Sequence, residues 1–126
     1  MKEVLAVLRS TKVNHTKNAL TAAGFLGFTC VSCLGRGKKL VDPNLLKLIL
    51  ESGNLPMTAA GEAMTEATRL IPKRIFSIIV PDGRVKDVVD VIIAVNQTQN
   101  PGDGKIFVTP VLESYSVRIG GEADVV

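Results

Sequence analysis

Residues 74–97 read RIFSIIVPDGRVKDVVDVIIAVNQ, and the apolar period changes once within them, at Pro81 and Asp82. Before Pro81, β-branched and aromatic residues form an apolar run of strand length, which Pro81 ends. After Asp82, which stands where a helix N-cap belongs, a stripe of residues recurs at helical spacing. The stripe consists of Val85, Val88, Val89, Ile92 and Asn96. The stretch therefore predicts a strand followed by an amphipathic helix.

The same strand and helix pattern opens the chain. Lys2 to Arg9 is rich in valine and leucine and predicts a strand, and a helical period follows, with Gly24 at the position of a C-terminal cap. Residues 28–34, FTCVSCL, predict a second strand, and residues 106–119 predict a long last strand that bends or changes partner near Pro110. The order βαββαβ predicts an α+β, ferredoxin-like fold with a four-stranded antiparallel sheet. Two helices would cover one sheet face, and self-association would cover the other.

Composition limits the classes of function. The 126 residues are expected to form one domain, 46% of them are hydrophobic, and no apolar run approaches the length of a membrane span. The N-terminus lacks the pattern of a secretory signal, so we expect a cytoplasmic protein without membrane insertion. The net charge of +3 suits a small polyanion such as a nucleotide, whereas the four phenylalanines and single tyrosine argue against nucleic-acid binding.

A long insertion separates the second and third predicted strands, at residues 36–72, and a short tail follows at 119–126. Long excursions from small cores are usually functional. The insertion carries an apolar run that would be a liability in water, and we expect this run to bind a partner. Its residues are Leu45, Leu46, Leu48 and Ile49, followed by Leu50.

Cys30 and Cys33 are the only cysteines, and their C-x-x-C spacing falls inside a predicted strand. Because strand side chains alternate between faces, the two sulfur atoms would point to opposite sides of the sheet. A disulfide or a tetrahedral metal site needs them to converge. We therefore interpret both cysteines as small packing residues and predict no metal site.

Two glycine and lysine loops carry the chemistry. GRGKK occupies residues 35–39, after the second strand, and GDGK occupies residues 102–105, before the fourth. Such glycines can expose backbone N–H groups to phosphate oxygens, and the lysines supply charge. The Walker A pattern is absent, and no base accompanies the loops, since the only histidine, His15, lies in a predicted surface helix. The pattern favours a nucleotide sensor over an enzyme.

The whole chain, roughly residues 1–117, resembles the PII signal-transduction family. GFTCVSCLGRGKK resembles the segment leading into that family's long T-loop, LIPKRIFSIIVPD resembles the loop's return, and GDGKIFVTPV resembles the signature before the last strand. The long insertion and the segment VNQTQNPGDGKIFV are similar to the nitrogen-fixation branch, the NifI type, and within it to the longer of two partner proteins.

The resemblance implies a trimer, or a hetero-oligomer with a paralogous PII-like protein, that binds ATP or ADP in clefts between subunits. It further implies binding of 2-oxoglutarate beside the nucleotide, with Mg²⁺ as a bridge. NifI-type proteins bind the dinitrogenase component of nitrogenase and inhibit it when 2-oxoglutarate is low. The resemblance thus implies a regulator of nitrogenase rather than an enzyme.

Carried over by position, the resemblance assigns nucleotide-binding roles to residues in four places. Thr29 and Ile79 would border the adenine, and Arg118 would reach the phosphates across a subunit interface. The phosphate loops would be formed by Gly35, Gly37 and Lys38 on one side and Gly102, Asp103, Gly104 and Lys105 on the other. Lys73 would pair with a carboxylate of 2-oxoglutarate.

Three positions depart from the family pattern. Ser116 replaces the first arginine of an R-x-R motif, which removes one phosphate contact. Lys39 replaces a glutamine that ligates Mg²⁺ in the family, and an ammonium group cannot ligate a cation. Lys39 would instead pair directly with 2-oxoglutarate or a phosphate. Whether Mg²⁺ takes part in ligand binding therefore stays open at this point. The insertion has no tyrosine, which excludes uridylylation of a T-loop tyrosine.

Three alternatives remain open at this point. A PII-like sensor could regulate a different target, such as an ammonium transporter or a metabolic enzyme. An RNA-recognition motif shares the βαββαβ order, but the central strands offer only Phe28 and Phe107 for base stacking. A small nucleotide-hydrolysing enzyme would need a base that the sequence does not display.

Overall fold

The computed structural model describes residues 1–37, residue 51 and residues 69–123. The chain divides into two compact units, one made of Met1–Cys33 with Pro72–Val126 and the other of Leu34–Ile71. The first unit carries the fold described below. The second is described only at residues 34–37, 51 and 69–71, so the apolar run of the insertion lies outside the described residues.

The elements follow the predicted order. The strands of the main sheet are β1 (Lys2–Arg9), β2 (Thr29–Gly35), β3 (Ile71–Val80) and β4 (Gly104–Pro110), and the helices are α1 (Val13–Ala22) and α2 (Val85–Asn96). Short 3₁₀ turns at Ser10–Lys12 and Asp82–Arg84 precede the two helices. Within the described residues, β5 (Tyr115–Ser116) and β6 (Gly121–Glu122) pair as a separate two-stranded sheet.

The main sheet is antiparallel with the order β2-β3-β1-β4, which is the ferredoxin-like arrangement predicted from the sequence. β1 is central: Leu5 faces Ser77 on β3 and Phe107 on β4. Along β1, the fully buried Val4, Ala6 and Leu8 alternate with half-buried residues. The expected fold class is therefore confirmed.

The core lies between the sheet and the two helices. Phe76 and Ile78 from β3 pack with Leu20 from α1 and with Val88 and Ile92 from α2, all with at most 2% of their surface exposed. The stripe predicted on α2 is confirmed, because Val88, Ile92 and Asn96 are buried and Val85 and Val89 are half-buried against the core. Cys30 also packs on this core, and both cysteines are free thiols.

The predicted end of α1 is confirmed in detail. Gly24 has a φ of +92°, its N–H donates to the Thr21 carbonyl at 3.0 Å, and the Phe25 N–H donates to the Leu20 carbonyl at 2.9 Å. These two bonds define a Schellman motif, and Phe25 is buried beside Leu20 as that motif requires.

Two details of the structure differ from the sequence-based predictions. The prediction that Asp82 caps α2 is wrong, since the 3₁₀ turn separates Asp82 from the helix and no side chain caps α2. Asp82 instead accepts a hydrogen bond from the amino group of Met1 at 2.7 Å. The last strand of the main sheet ends at Pro110, where a bend or change of partner was predicted, because the residues beyond it pair within the hairpin β5–β6.

Candidate functional site

The loop between α2 and β4, residues 97–103, is held together by the Asp103 carboxylate. One oxygen, Oδ2, accepts the backbone N–H groups of Thr98 and Gln99 at 2.6 and 3.0 Å. The other, Oδ1, accepts the Thr98 hydroxyl and lies 3.3 Å from Nη2 of Arg9. Hydrogen bonds from Thr98, helped by Arg9 and Gln99, lower the pKa of Asp103 from 3.8 to about 2. The carboxylate therefore stays ionised and shapes the loop.

The tip of the loop is a tight turn at Pro101 and Gly102. Proline followed by a glycine with positive φ is the pair that a type II turn requires, and the φ of Gly102 is +96°. Gln99 also has a positive φ, of +70°, which is uncommon for a residue with a side chain. The hydrogen bond from the Gln99 N–H to the Asp103 carboxylate stabilises that conformation.

Two cationic side chains from the sheet hold the carbonyl groups of this turn. Arg9, the last residue of β1, donates from Nη2 to the Pro101 carbonyl at 2.8 Å. Lys73, which is its partner across β1 and β3, donates from Nζ to the Gly102 carbonyl at 2.9 Å. Lys73 is only 6% exposed, so its charge lies under the loop rather than in solvent.

Gly104 has a packing reason to be glycine. Its φ is +121°, and a Cβ atom there would lie 2.2 Å from the Val7 carbonyl oxygen. Close approach of β4 to β1 therefore requires glycine at this position. At Gly102, by contrast, a Cβ atom would meet only the end of the Arg9 side chain, at 3.2 Å.

The predicted site residues fall at two ends of the main sheet. Gly102, Asp103, Gly104 and Lys105 lie with Lys73 at the end where β1 finishes, since Leu8 faces Gly104 and Val7 faces Lys105. Ile79, half-buried, faces Glu3 near the start of β1, six positions from the Arg9–Lys73 pair. At about 3.3 Å per residue the two ends are about 20 Å apart.

Of the remaining predicted residues, Thr29, Gly35, Gly37 and Arg118 lie within the described part of the chain. Thr29 begins β2 and is exposed, and Arg118 is exposed in the turn between β5 and β6, beyond the end of β4 that faces Lys2. Gly35 ends β2, and Gly37 has no positive φ. Lys38, Lys39 and the run Leu45, Leu46, Leu48 and Ile49 lie outside the described residues. Among the described residues of one chain, Ile79 thus lies at the opposite end of the main sheet from Lys73 and Gly102–Lys105.

A cavity of about 430 Å³ lies behind the Asp103 loop, on the helix side of the sheet. Its apolar wall consists of Leu8, Val89, Ile92, Ile93 and Ile106. Asp103, Gly104 and Lys105 border it, so this side of the loop faces open space.

Sequence reasoning missed Arg9, Thr98 and Gln99, which anchor the loop. The available signal was the antiparallel register, which places the last residue of the first strand beside the residues that precede the fourth. Within the described parts of the chain, no group of three or more histidine, cysteine, aspartate or glutamate side chains could hold a metal ion. None of the helices in these described parts is long and apolar enough to cross a membrane.

The family model for nitrogen regulatory protein P-II matches residues 1–121 of the chain. The chain belongs to the P-II family. It is 39% identical over 127 residues to the nitrogen fixation nifHD region GlnB-like protein 2 of Methanothermococcus thermolithotrophicus, across 99% of this chain and 97% of that protein. It is also 39% identical over 124 residues to the nifHD1 region GlnB-like protein 2 of Methanosarcina barkeri, across 98% of this chain and 97% of that protein. The resemblance to the P-II family and its nitrogen-fixation branch is confirmed.

A second relative from the same archaeon shows that the branch contains paralogues. The nitrogen fixation nifHD region GlnB-like protein 1 of Methanothermococcus thermolithotrophicus is 35% identical over 120 residues, across 95% of this chain and 96% of that protein. P-II proteins are signal-transduction regulators that in general bind nucleotides and 2-oxoglutarate. The anchored loop at Gly102–Lys105 lies within the residues that the family model matches.

Proposed function

We propose that this P-II family protein senses ATP or ADP together with 2-oxoglutarate and regulates nitrogenase. When 2-oxoglutarate is low, it would bind the dinitrogenase component and inhibit it. The arrangement at Gly102–Lys105 carries the proposal, because a turn rich in glycine lies over one buried lysine and beside an exposed one. The names of the relatives, which place them in nifHD regions, support the choice of target.

The residues present fit an anionic ligand. Lys73, Lys105 and Arg9 bring three positive charges to one end of the sheet, and Asp103, the one acidic side chain of the loop, offsets only one of them through its contact with Arg9. In addition, the buried Nε atom of Arg9 has no hydrogen-bond acceptor among the described residues. A phosphate or carboxylate at this end would be held by Lys105 and by backbone N–H groups of the loop, and Lys73 would pair with a 2-oxoglutarate carboxylate.

The separation of the two halves supports binding between subunits. Thr29, Ile79 and Arg118 would meet the phosphate loop of another copy, because about 20 Å of sheet separates Ile79 from Lys73 within one chain. A trimer, or a hetero-oligomer with a paralogue, would bring them together. Such an assembly would also cover the helix-free sheet face, and we expect it to operate in the cytoplasm.

Calorimetric titration with MgATP, with and without 2-oxoglutarate, tests the ligands. We expect ATP to bind and 2-oxoglutarate to increase its affinity. Lys105→Gln should weaken ATP binding by about tenfold, which is the effect of losing one charged hydrogen bond. Lys17→Gln, the same change on the exposed face of α1, is the matched control and should leave the affinity unchanged. Absence of ATP binding in the unsubstituted protein would overturn the sensing part of the proposal.

Affinity capture from nitrogen-fixing cells tests the target. The dinitrogenase component should be retained without 2-oxoglutarate and released when MgATP and 2-oxoglutarate are added together. Release requires that the effectors bind the free and docked forms with different affinities. Capture of an ammonium transporter or a metabolic enzyme instead, under the same conditions, would replace nitrogenase as the target.

A further inference from the structure

Arg9 contacts the loop on both sides of Gly102, at Pro101 and at Asp103. Its Nη2 atom donates to the Pro101 carbonyl at 2.8 Å and lies 3.3 Å from Oδ1 of Asp103. The two partners are 92 and 94 residues away in the chain, and the Arg9 side chain is 32% exposed. None of the glycine and lysine motifs contains Arg9.

The contact with the Pro101 carbonyl determines the direction of a neighbouring N–H group. In a trans peptide the C=O and N–H bonds of one unit point in opposite directions, and the described chain has no cis peptide. Because Arg9 holds the Pro101 oxygen, the Gly102 N–H of the same unit points away from Arg9. No hydrogen bond between the described residues uses that N–H.

The contact with Asp103 removes a repulsion. A free carboxylate in a phosphate-binding loop would repel the ligand, but Arg9 neutralises this one while Thr98 and Gln99 occupy its oxygen atoms. The same guanidinium thus orients a donor and cancels a negative charge. Both effects act through the loop and need no contact between Arg9 and the ligand.

We propose that Arg9 is the positioning residue of the phosphate loop, fixing the Pro101–Gly102 peptide with its N–H directed at a bound phosphate or carboxylate. The proposal rests on the anion-binding role proposed above for Gly102–Lys105. Arg9 acts before the ligand arrives, so its effect should be measurable in the free protein. This property separates positioning from direct binding.

The test compares Arg9→Met and Arg9→Lys with Arg74→Met. Arg74 lies next to Lys73 at the same end of the sheet, opposite Leu8, and its replacement removes the same charge. Amide hydrogen exchange at Thr98, Gln99 and Gly102 is measured in the free proteins, and ATP affinity is measured by calorimetry. Melting temperatures establish that each variant is folded.

We expect Arg9→Met to accelerate exchange at Thr98 and Gln99 and to weaken ATP binding by about tenfold. Arg9→Lys should restore part of the slow exchange and part of the ATP affinity, because an ammonium group can reach either the Pro101 carbonyl or the Asp103 carboxylate. Arg74→Met should change ATP affinity by less than about twofold, the long-range effect of one partly exposed charge.

Two results would overturn the proposal. Weaker ATP binding with unchanged loop exchange would mean that Arg9 contacts the ligand directly. Equal effects of Arg9→Met and Arg74→Met would mean that only net charge matters. If the unsubstituted protein binds no nucleotide, the proposed function fails on that result alone, and exchange at Thr98 and Gln99 still decides whether Arg9 positions the loop.

Discussion

At the scale of single residues, glycines that look alike in the sequence are required for different physical reasons. Gly102 and Gly104 both have positive φ, but only Gly104 is in backbone contact with a neighbouring strand, at the Val7 carbonyl. The glycines of GDGK therefore do more than expose N–H groups. One forms the turn, and the other lets β4 pair with β1.

Replacing Gly104 by alanine should destabilise the protein severely. A Cβ atom 2.2 Å from the Val7 oxygen, at a φ of +121°, forces the strands apart, and we expect a loss of more than about 3 kcal/mol in the free energy of unfolding. Gly102→Ala should cost less, because the flexible end of Arg9 can move. Gly83→Ala, where a Cβ atom meets nothing within 4 Å, should stay within about 0.5 kcal/mol. Urea unfolding measures all three, and equal losses at residues 83 and 104 would contradict the interpretation.

The Asp103 carboxylate should make the free energy of unfolding depend on pH in the acidic range. Its folded-state pKa of about 2 lies below the ordinary 3.8, so the unfolded chain binds more protons between these values. The stabilisation is therefore complete above pH 3.8 and is lost as the pH falls through about 2. The difference in unfolding free energy between the unsubstituted protein and Asp103→Asn should shrink over this range.

Thr98→Ala provides the companion measurement for Asp103. The Thr98 hydroxyl is the largest cause of the lowered pKa, so its removal should move the acid transition toward higher pH. A pH-independent difference between the unsubstituted protein and Asp103→Asn, measured by urea unfolding at several pH values, would contradict an ionised anchor.

At the scale of elements, a buried hydrogen bond joins the two helices. Thr16 on α1 is fully buried and donates its hydroxyl hydrogen to the Lys12 carbonyl at 2.8 Å. Its oxygen therefore accepts from Nδ2 of Asn96 on α2, at 3.0 Å, and that amide also donates to the Ile92 carbonyl. This network fixes the orientation of the Asn96 amide where α2 ends and the Asp103 loop begins.

Replacing Thr16 by valine should cost about 1–3 kcal/mol, because one N–H of the buried Asn96 amide loses its acceptor. Thr21 is the matched control on the same helix, since it makes the same bond to the carbonyl four residues earlier, at 2.9 Å, but is exposed. Thr21→Val should stay within about 0.5 kcal/mol. Thermal or urea unfolding distinguishes the two, and equal costs would show that the bond between the helices contributes nothing.

At the scale of the whole molecule, the first unit leaves one sheet face without helices. Leu5, Val7 and Ile75 are only half-buried there, and Phe107 is 51% exposed. A contiguous apolar face of this kind favours association with further copies of the chain.

Placing a charge on this face should disrupt the assembly. Phe107→Lys should reduce the mass measured by sedimentation equilibrium while the circular dichroism spectrum stays unchanged, because a buried lysine without a partner is costly. Ala94→Lys, on the exposed surface of α2, is the control and should leave the mass unchanged. A protein that sediments as a monomer before substitution would contradict the expected trimer.

Local pattern was sufficient to predict the four strands of the main sheet, although it carried the last one past Pro110, both helices of the first unit and the glycine that ends α1. Those features depend on residues two to four positions apart, and the periodic spacing of their apolar side chains can be seen in the sequence. The resemblance to the P-II family, carried by whole motifs such as GDGKIFV, was likewise available from the sequence and was confirmed.

Only the tertiary structure decided which charges meet. Arg9 and Asp103 lie 94 residues apart in the chain, and Lys73 and Gly102 lie 29 apart. Their contacts depend on strand register and on where a loop folds back, neither of which a periodic pattern specifies. For the same reason the sequence could suggest residues for a nucleotide site but could not place Ile79 at the opposite end of the sheet from Gly102.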